Sequence, residues 1–113
     1  MNYCVLLQLK IQENEWRKAG ECHVISWDIR DLIAASSGWT ILNEENFGPA
    51  NSFLPVLQKG ILELSQHAQA YIRFEVKHGV GTIRDTLLFY KGLLNDCKNY
   101  PLFDLYGYID NGQ

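Results

Sequence analysis

The chain has 113 residues, of which 47% are hydrophobic and 12% aromatic, and its formal net charge at pH 7 is -3. A chain of this size can bury one core without metal or disulfide support, so we expect a single domain over residues 1–113. Three cysteines without a CxxC pair argue against a secreted disulfide framework, and no stretch approaches the roughly 18 apolar residues of a membrane span. We therefore expect a soluble, cytoplasmic protein.

The negative charge is concentrated in the first half of the chain. Residues 1–50 carry seven acidic and four basic side chains, whereas residues 51–113 carry six of each. Nucleic-acid binding needs clustered lysine and arginine to replace counterions, so this distribution argues against a nucleic-acid partner and favours a basic protein. An ordinary solubility charge stays open as the alternative.

The first predicted elements follow from alternation and capping. Residues 2–12 alternate apolar and polar side chains, which predicts a half-buried strand. A capping serine, acidic residues in the first turn and a closing glycine predict a short helix over residues 26–38. For residues 13–25, a loop, a short helix and a second strand all stay open, and we expect this segment to be exposed.

Four further segments are predicted from periodicity and turn residues. Residues 39–43 read WTILN, which predicts a strand, and residues 44–50 predict a loop. Residues 51–68 predict a second helix, with a proline tolerated in its first turn. Residues 91–101 favour a connection with one helical turn, and residues 102–109 predict a final strand.

The stretch FEVKHGVGTIRD, residues 74–85, combines a histidine, a Gly-x-Gly and four charged side chains. It lacks the full pattern of a phosphate-binding loop. A two-residue turn at Gly79 and Val80 would place Glu75 opposite Arg84 in a hairpin, where the two charges complement each other. The sequence therefore predicts a hairpin here.

Asp85 is the residue that fits this hairpin least, because a regular strand would turn its carboxylate toward the apolar face. A β-bulge would rotate it outward, and Arg73 or Arg84 would neutralise it. Alternatively, TIRD is a capping box that opens a helix, or Asp85 is a buried functional carboxylate. We favour the bulged or edge strand.

The predicted order of elements is β-α-β-α-β-β-β. This order is typical of an α+β domain, with a mixed or mainly antiparallel sheet and two helices packed on it.

Metal and catalytic sites find little support in the sequence. Cys22 and His23 are adjacent, but neighbouring side chains of an extended chain point in opposite directions, and no second Cys/His pair follows at zinc spacing. A nucleophile pair would need His67 or His78 to meet a cysteine in space. Gly-x-Ser-x-Gly and His-Glu-x-x-His are absent. We therefore expect no metal ion, no cofactor and no catalytic residue.

Aromatic residues beside acidic ones are the clearest candidates for partner binding. An aromatic side chain supplies desolvated contact area, and carboxylates attract a basic surface. The candidate partner-binding residues are Glu13, Glu15, Trp16, Asp28, Asp31, Glu44, Glu45 and Phe47.

In size, acidity and lack of a catalytic motif, the chain resembles the small cognate immunity proteins that neutralise bacterial toxins, including those of contact-dependent inhibition systems. Those proteins share no motif across families, so the resemblance assigns no residue. It implies a bacterial, non-enzymatic inhibitor that binds and neutralises a basic protein partner, for which a nuclease toxin is the fitting example.

Two other functions stay open. A small enzyme or ligand-binding domain would use a cleft between sheet and helix near His78, Asp85 or Cys22. A regulatory domain or a homodimer would join through an edge strand. A toxin reading frame directly upstream of the gene would favour the immunity function, and metabolic neighbours would favour the enzyme.

Overall fold

The computed structural model describes residues 1–76 and 81–110. Short 3-10 turns precede the first and second helices, and a longer one follows the second. The strands and α-helices are, in chain order, β1 (Asn2–Gln12), β2 (Glu15–Ser26), α1 (Arg30–Ser37), β3 (Glu44–Pro49), α2 (Leu54–Gln66), α3 (Ile83–Asn99) and β4 (Asp104–Asp110).

The four strands form one antiparallel sheet in the order β2-β1-β4-β3. The central strands are β1 and β4, and the edges are β2 and β3. The prediction of an α+β fold with a mainly antiparallel sheet is confirmed. Its order of elements is corrected to β-β-α-β-α-α-β, because the chain pairs its first two strands directly and has a third helix before the last strand.

The helices share one face of the sheet. Alternation along β1 directs Tyr3, Val5 and Leu7 to this face, where they are fully buried with Leu57 of α2 and Leu93 of α3. Residues of α1 join the same cluster. In the part of the chain that the structure describes, the opposite face of the sheet has no helix packed on it. None of the described helices is long and apolar enough to cross a membrane.

The β1–β2 hairpin extends beyond the rest of the sheet. Pairing of β1 with β4 stops at Gln8, while its pairing with β2 continues to Gln12. The second-strand alternative for residues 13–25 is the one observed; the expected exposure holds for residues 13–18 but not for Ile25, which is fully buried opposite Tyr3. The hairpin therefore forms a two-stranded arm with both faces open to solvent.

The first helix was predicted correctly from local signals. Ser26 accepts a hydrogen bond from the Asp28 amide at 3.2 Å. The helix ends at Gly38, whose φ of 81° is the left-handed conformation that favours glycine. These contacts are local in sequence, which is why capping residues alone indicated them.

The next two predictions, a strand at 39–43 and a loop at 44–50, were wrong. Trp39 and Ile41 are buried in the core, so their apolar alternation reflects packing of an irregular segment. The strand β3 follows instead, although its sequence EENFGP is poor in β-formers. Pairing with β4 at the sheet edge overrides that low propensity.

The second helix, predicted over residues 51–68, is confirmed as α2 and the 3-10 turn before it. Pro55 lies in the first turn of α2, where a missing N–H costs nothing. Leu57 and Leu64 are buried. Gly60 lies against Tyr90 of α3, since a Cβ at this position would be 2.5 Å from the Tyr90 ring.

The hairpin over residues 74–85 was wrong. Residues Ala68–Phe74 form a 3-10 helix and α3 starts at Ile83, so Glu75 does not pair with Arg84 across strands. The Glu75 carboxylate accepts a hydrogen bond from the Ile83 amide at 2.7 Å instead. The proposed turn at residues 79–80 lies outside the described residues.

Asp85 belongs to a capping box, which was the less favoured alternative. The Asp85 amide donates to the Thr82 hydroxyl at 3.0 Å, and the Thr82 amide donates to the Asp85 carboxylate at 3.2 Å. The helix then continues to Asn99, so the predicted connection at 91–101 was also wrong. Phe89, Leu93 and other buried residues at helical spacing form its inner face.

Replacing Thr82 with alanine is expected to lower the free energy of unfolding by about 1 kcal/mol, because it removes one half of the capping box. Urea denaturation followed by circular dichroism measures this change. Thr40→Ala is the matched control, since Thr40 is exposed outside a helix. Equal stabilities of the two variants would contradict the cap.

Candidate functional site

Alternate residues of β4 point away from the helices. Tyr106 lies opposite Leu6 of β1, and Tyr108 lies opposite Cys4 of β1 and Glu44 of β3. We call this surface the tyrosine face, and define it as Cys4, Leu6, Glu44, Asn46, Asp104, Tyr106, Tyr108 and Asp110.

The two tyrosine rings form the centre of this face. Their centroids are 6.0 Å apart and their planes differ by 33°. Cys4 and Leu6 are only 3% and 6% exposed, although none of the described helices covers them. Tyr108 is the cross-strand neighbour of Cys4 and lies close to its thiol, whereas the Tyr106 hydroxyl reaches Glu44 of β3 on the other side. The result is an aromatic platform of two half-buried rings on a face that no described helix covers.

Carboxylates surround the platform and are held by neighbouring donors. The Tyr106 hydroxyl donates a hydrogen bond to Glu44 Oε1. The Asn46 side-chain amide donates to Asp104 Oδ2 at 3.2 Å, and the Cys4 thiol contacts Asp110 Oδ2 at 3.8 Å. These contacts restrict the carboxylates, so the face holds acidic side chains in defined positions.

Both tyrosines remain neutral at physiological pH. The hydrogen bond to Glu44 raises the pKa of Tyr106 to about 12. Burial, followed by the neighbouring thiols of Cys22 and Cys4, raises the pKa of Tyr108 to about 12. Burial also raises the pKa of the Cys4 thiol to about 12. The face therefore presents neutral phenols and thiols beside charged carboxylates.

Raising the pH from about 10 to about 12 is expected to destabilise the fold through Tyr106. Unfolded tyrosines ionise near pH ~10, whereas hydrogen bonding to Glu44 raises the folded pKa of Tyr106 to about 12. The folded state thus keeps a proton that the unfolded chain loses, so this stabilisation is complete below pH ~10 and falls as the pH rises. Tyr106→Phe should show a smaller loss in urea denaturation across this interval. Identical pH profiles would contradict the hydrogen bond.

Basic residues lie at one margin of the tyrosine face. Lys18 is opposite Gln8, and Gln8 is opposite Asp104, so Lys18 is two strands away from the Asp104 carboxylate. Lys10 lies on the hairpin arm, where its ammonium is 5.9 Å from the Trp16 ring centroid. Lys10 and Lys18 therefore lie toward the arm, away from Tyr108.

The structure separates the predicted partner-binding residues into two groups. Glu13, Glu15 and Trp16 are exposed at the end of the hairpin arm. The other five lie farther toward the start of β1; Glu44, level with Cys4, is about six strand residues or ~20 Å from Trp16, which is level with Lys10. They are Asp28, Asp31, Glu44, Glu45 and Phe47. The eight residues therefore divide into a group on the hairpin arm and a group toward the start of β1.

Within the second group, Glu44 is the member on the tyrosine face. Asp28 and Asp31 are exposed on the helix side of the molecule. Glu45 lies opposite Gly107, and its charge adds to the burial that chiefly raises the pKa of Tyr3.

Phe47 is half-buried, and its ring centroid is 5.3 Å from that of Trp39 and 5.8 Å from that of Phe53. Its aromatic ring is therefore mainly a packing element at the edge of the core.

Sequence reasoning missed Asp104, Tyr106, Tyr108 and Asp110 as site residues. A usable signal was present, because they alternate with Leu105, Gly107 and Ile109 in the segment DLYGYID. Period-2 alternation places them on one face of a predicted strand. What the pattern lacked was the finding that the described helices all pack on the other face.

A second polar cluster lies between β2 and α3. Nε2 of His23 is 2.6 Å from Oδ2 of Asp96, and the Glu21 amide donates to the same oxygen at 3.1 Å. A Cβ at Gly20 would be 2.3 Å from this oxygen, and one at Gly92 would be 2.8 Å from the His23 ring. A side chain at either glycine would therefore collide with the His23–Asp96 pair.

This His23–Asp96 pair lies beside a cleft of about 300 Å³ that is lined by Cys22, His23, Val24, Asp85, Leu88 and Phe89. His78, the other residue that sequence analysis placed near such a cleft, lies outside the described residues. Within residues 1–76 and 81–110, no group of three or more histidine, cysteine or acidic side chains is arranged to hold a metal ion.

No protein-family model, curated protein or solved structure matches this chain.

Proposed function

We propose that this protein is a non-enzymatic inhibitor of the immunity type, which binds a basic protein partner through the tyrosine face and blocks it. The observation that carries the proposal is a sheet face with two adjacent tyrosines among fixed carboxylates and no described helix over it. A nuclease toxin is a partner of suitable charge. Three free cysteines fit a reducing cytoplasm.

Tyrosine and carboxylate make complementary contributions to such an interface. A tyrosine buries a large rigid surface with few rotatable bonds, so it loses little conformational entropy on binding. Carboxylates raise the rate of encounter with a basic partner and disfavour binding of acidic partners. In a nuclease they would occupy the positions of substrate phosphates. The tyrosine face has both kinds of residue within one antiparallel sheet.

Affinity capture with charge-reversed variants tests this proposal. Glu44→Lys with Asp104→Lys reverses charge on the tyrosine face, whereas Asp28→Lys with Asp31→Lys and Glu13→Lys with Glu15→Lys make the same change elsewhere. We expect the first pair to slow association with the captured basic partner at low salt, since charge acts mainly on encounter rates. Melting temperatures should stay similar for the two control pairs, whose residues are exposed, and should fall slightly for the first pair, because Glu44 and Asp104 accept hydrogen bonds from Tyr106 and Asn46.

The captured partner must also lose its activity when the purified protein is added. Failure to capture a basic partner, equal capture by all three variants, or a captured partner that stays fully active would each contradict the proposal. Stronger loss for the Glu13 and Glu15 pair would move the binding surface to the hairpin arm.

A second candidate function is ligand binding or catalysis in the cleft between β2 and α3. The His23–Asp96 pair favours it, because a carboxylate that fixes one imidazole nitrogen leaves the other to accept a proton. Native mass spectrometry of the purified protein would detect a bound small molecule. Its loss in Cys22→Ser with His23→Gln would support this function, and intact partner capture by that variant would support the inhibitor.

A further inference from the structure

We infer that the tyrosine face is selective for arginine over lysine side chains on its protein partner. This inference rests on the proposed function, since it specifies the chemistry of the basic partner at the same face. It follows from the combination of flat aromatic rings and carboxylates. A general attraction between opposite charges would need only the carboxylates and would not distinguish arginine from lysine.

The aromatic part of the face suits a planar cation. The rings of Tyr106 and Tyr108 lie side by side on the sheet face that no described helix covers, and both side chains are only half-buried, so part of each ring is open to solvent. A guanidinium group is planar and weakly hydrated, so it stacks on such a ring at small desolvation cost. A lysine ammonium is compact and strongly hydrated, so it gains less from the same contact.

The carboxylates are placed to complete the recognition of a stacked guanidinium. Glu44 lies opposite Tyr108 and accepts the Tyr106 hydroxyl through Oε1, so its carboxylate is adjacent to both rings. Among the described residues, Oε2 of Glu44 and Oδ1 of Asp104 accept no hydrogen bond. A guanidinium fork has several N–H donors in one plane, so it can stack and donate at the same time.

The rest of the molecule already pairs guanidinium groups with aromatic rings in this manner. The Arg30 guanidinium is 4.7 Å from the Trp27 ring centroid, and Arg73 is at the same distance from Phe74. Those arginines serve their own local structure. On the tyrosine face the rings have no described cation over them, so a partner's arginine can take the equivalent position.

Two blocked peptides test the inference on the intact protein, one alternating arginine with glycine and the other alternating lysine with glycine. NMR titration of the tyrosine ring signals at low salt gives both dissociation constants. We expect the arginine peptide to bind roughly fivefold to thirtyfold more tightly, as one or two cation-π contacts would give. The signals of Tyr106 and Tyr108 should shift most.

Variants locate the preference. Tyr106→Leu with Tyr108→Leu keeps apolar cover over the sheet and should reduce the arginine preference to less than about twofold, since stacking is lost. Tyr100→Leu is the matched control, because Tyr100 is 38% exposed and lies outside the face. Glu44→Gln should weaken binding of the arginine peptide without removing the contacts of its guanidinium groups with the tyrosine rings. Melting curves establish that each variant is folded. The comparison of the two peptides on the wild-type protein does not depend on the folding of any variant.

Equal affinity for the two peptides would overturn the inference while leaving a purely electrostatic inhibitor intact. If neither peptide binds, the inference is overturned as well. Capture of the native partner would then test the proposed function separately. An arginine preference that survives loss of both tyrosines would place the selective contact elsewhere and also contradict the inference.

Discussion

Replacing Gly20 with alanine should lower the free energy of unfolding by about 3 kcal/mol. Gly20 has a φ of 69°, and a left-handed conformation costs a non-glycine residue about 1 kcal/mol. In addition, the new Cβ would be 2.3 Å from Oδ2 and 2.5 Å from Cγ of Asp96. Relief requires the carboxylate to move away from His23 and the Glu21 amide, which leaves a buried charge poorly paired.

Two controls separate these causes. Gly38→Ala has a similar left-handed φ of 81°, but nothing lies within 4 Å of its Cβ, so we expect it to cost only about 1 kcal/mol. In an Asp96→Ala background, Gly20→Ala should also cost about 1 kcal/mol, because the clashing carboxylate is gone. Urea denaturation of the wild type and of the four variants measures these costs. Equal costs for Gly20→Ala and Gly38→Ala in the wild type would contradict the contact with Asp96.

The second large effect is expected for Gly107→Ala, at about 2 to 3 kcal/mol. A Cβ on Gly107 would be 2.3 Å from the Tyr3 hydroxyl oxygen and 2.7 Å from Cζ of the same ring. Tyr3 is fully buried and its ring centroid is 5.3 Å from that of Trp27, so the ring has no free space to enter. The strand β4 would have to shift instead.

Removing the ring should reverse the sign of this effect. In a Tyr3→Ala background, which has already lost the stability that the ring provides, Gly107→Ala fills space and replaces a flexible strand residue. It should then be neutral or slightly stabilising. The interaction energy from urea denaturation of the four proteins is the measurement. Destabilisation of the same size in both backgrounds would show that Gly107 is not needed for Tyr3.

Local signals predicted the parts of the fold that local contacts determine. The first strand and the first helix followed from alternation and from Ser26 and Gly38, whose hydrogen bonds join near neighbours. β3 was missed because it is formed by hydrogen-bonded pairing with β4, whose residues lie about 60 positions later in the sequence. Intrinsic propensity gives no account of such a partner.

The false hairpin had a detectable flaw. Ile83 and Leu87 share the parity of a strand, but Phe89, Leu93 and Cys97 recur at helical spacing in the following residues. Asp85 was the discriminating residue, since a strand turned its charge inward and a capping box satisfied it. A charge that one secondary structure buries and another satisfies is evidence for the second.

The candidate site was predictable in part. Alternation in DLYGYID assigns Tyr106 and Tyr108 to one face of a strand, but exposure of that face depends on where three helices pack. The His23–Asp96 pair joins residues 73 positions apart, and its two glycines act through space. No local pattern encodes such a contact, so these features emerge only from the fold.

Partner binding through the tyrosine face is tested most directly by hydroxyl-radical footprinting of the inhibitor–partner complex, read by mass spectrometry. Tyr106 and Tyr108 should lose most of their reactivity when the partner binds, because their outward ring faces become buried. Trp16 on the hairpin arm and Leu88 in the cleft are 43% and 60% exposed and should stay as reactive as in the free protein. Protection of Trp16 or Leu88 with unchanged Tyr106 and Tyr108 would contradict binding through this face.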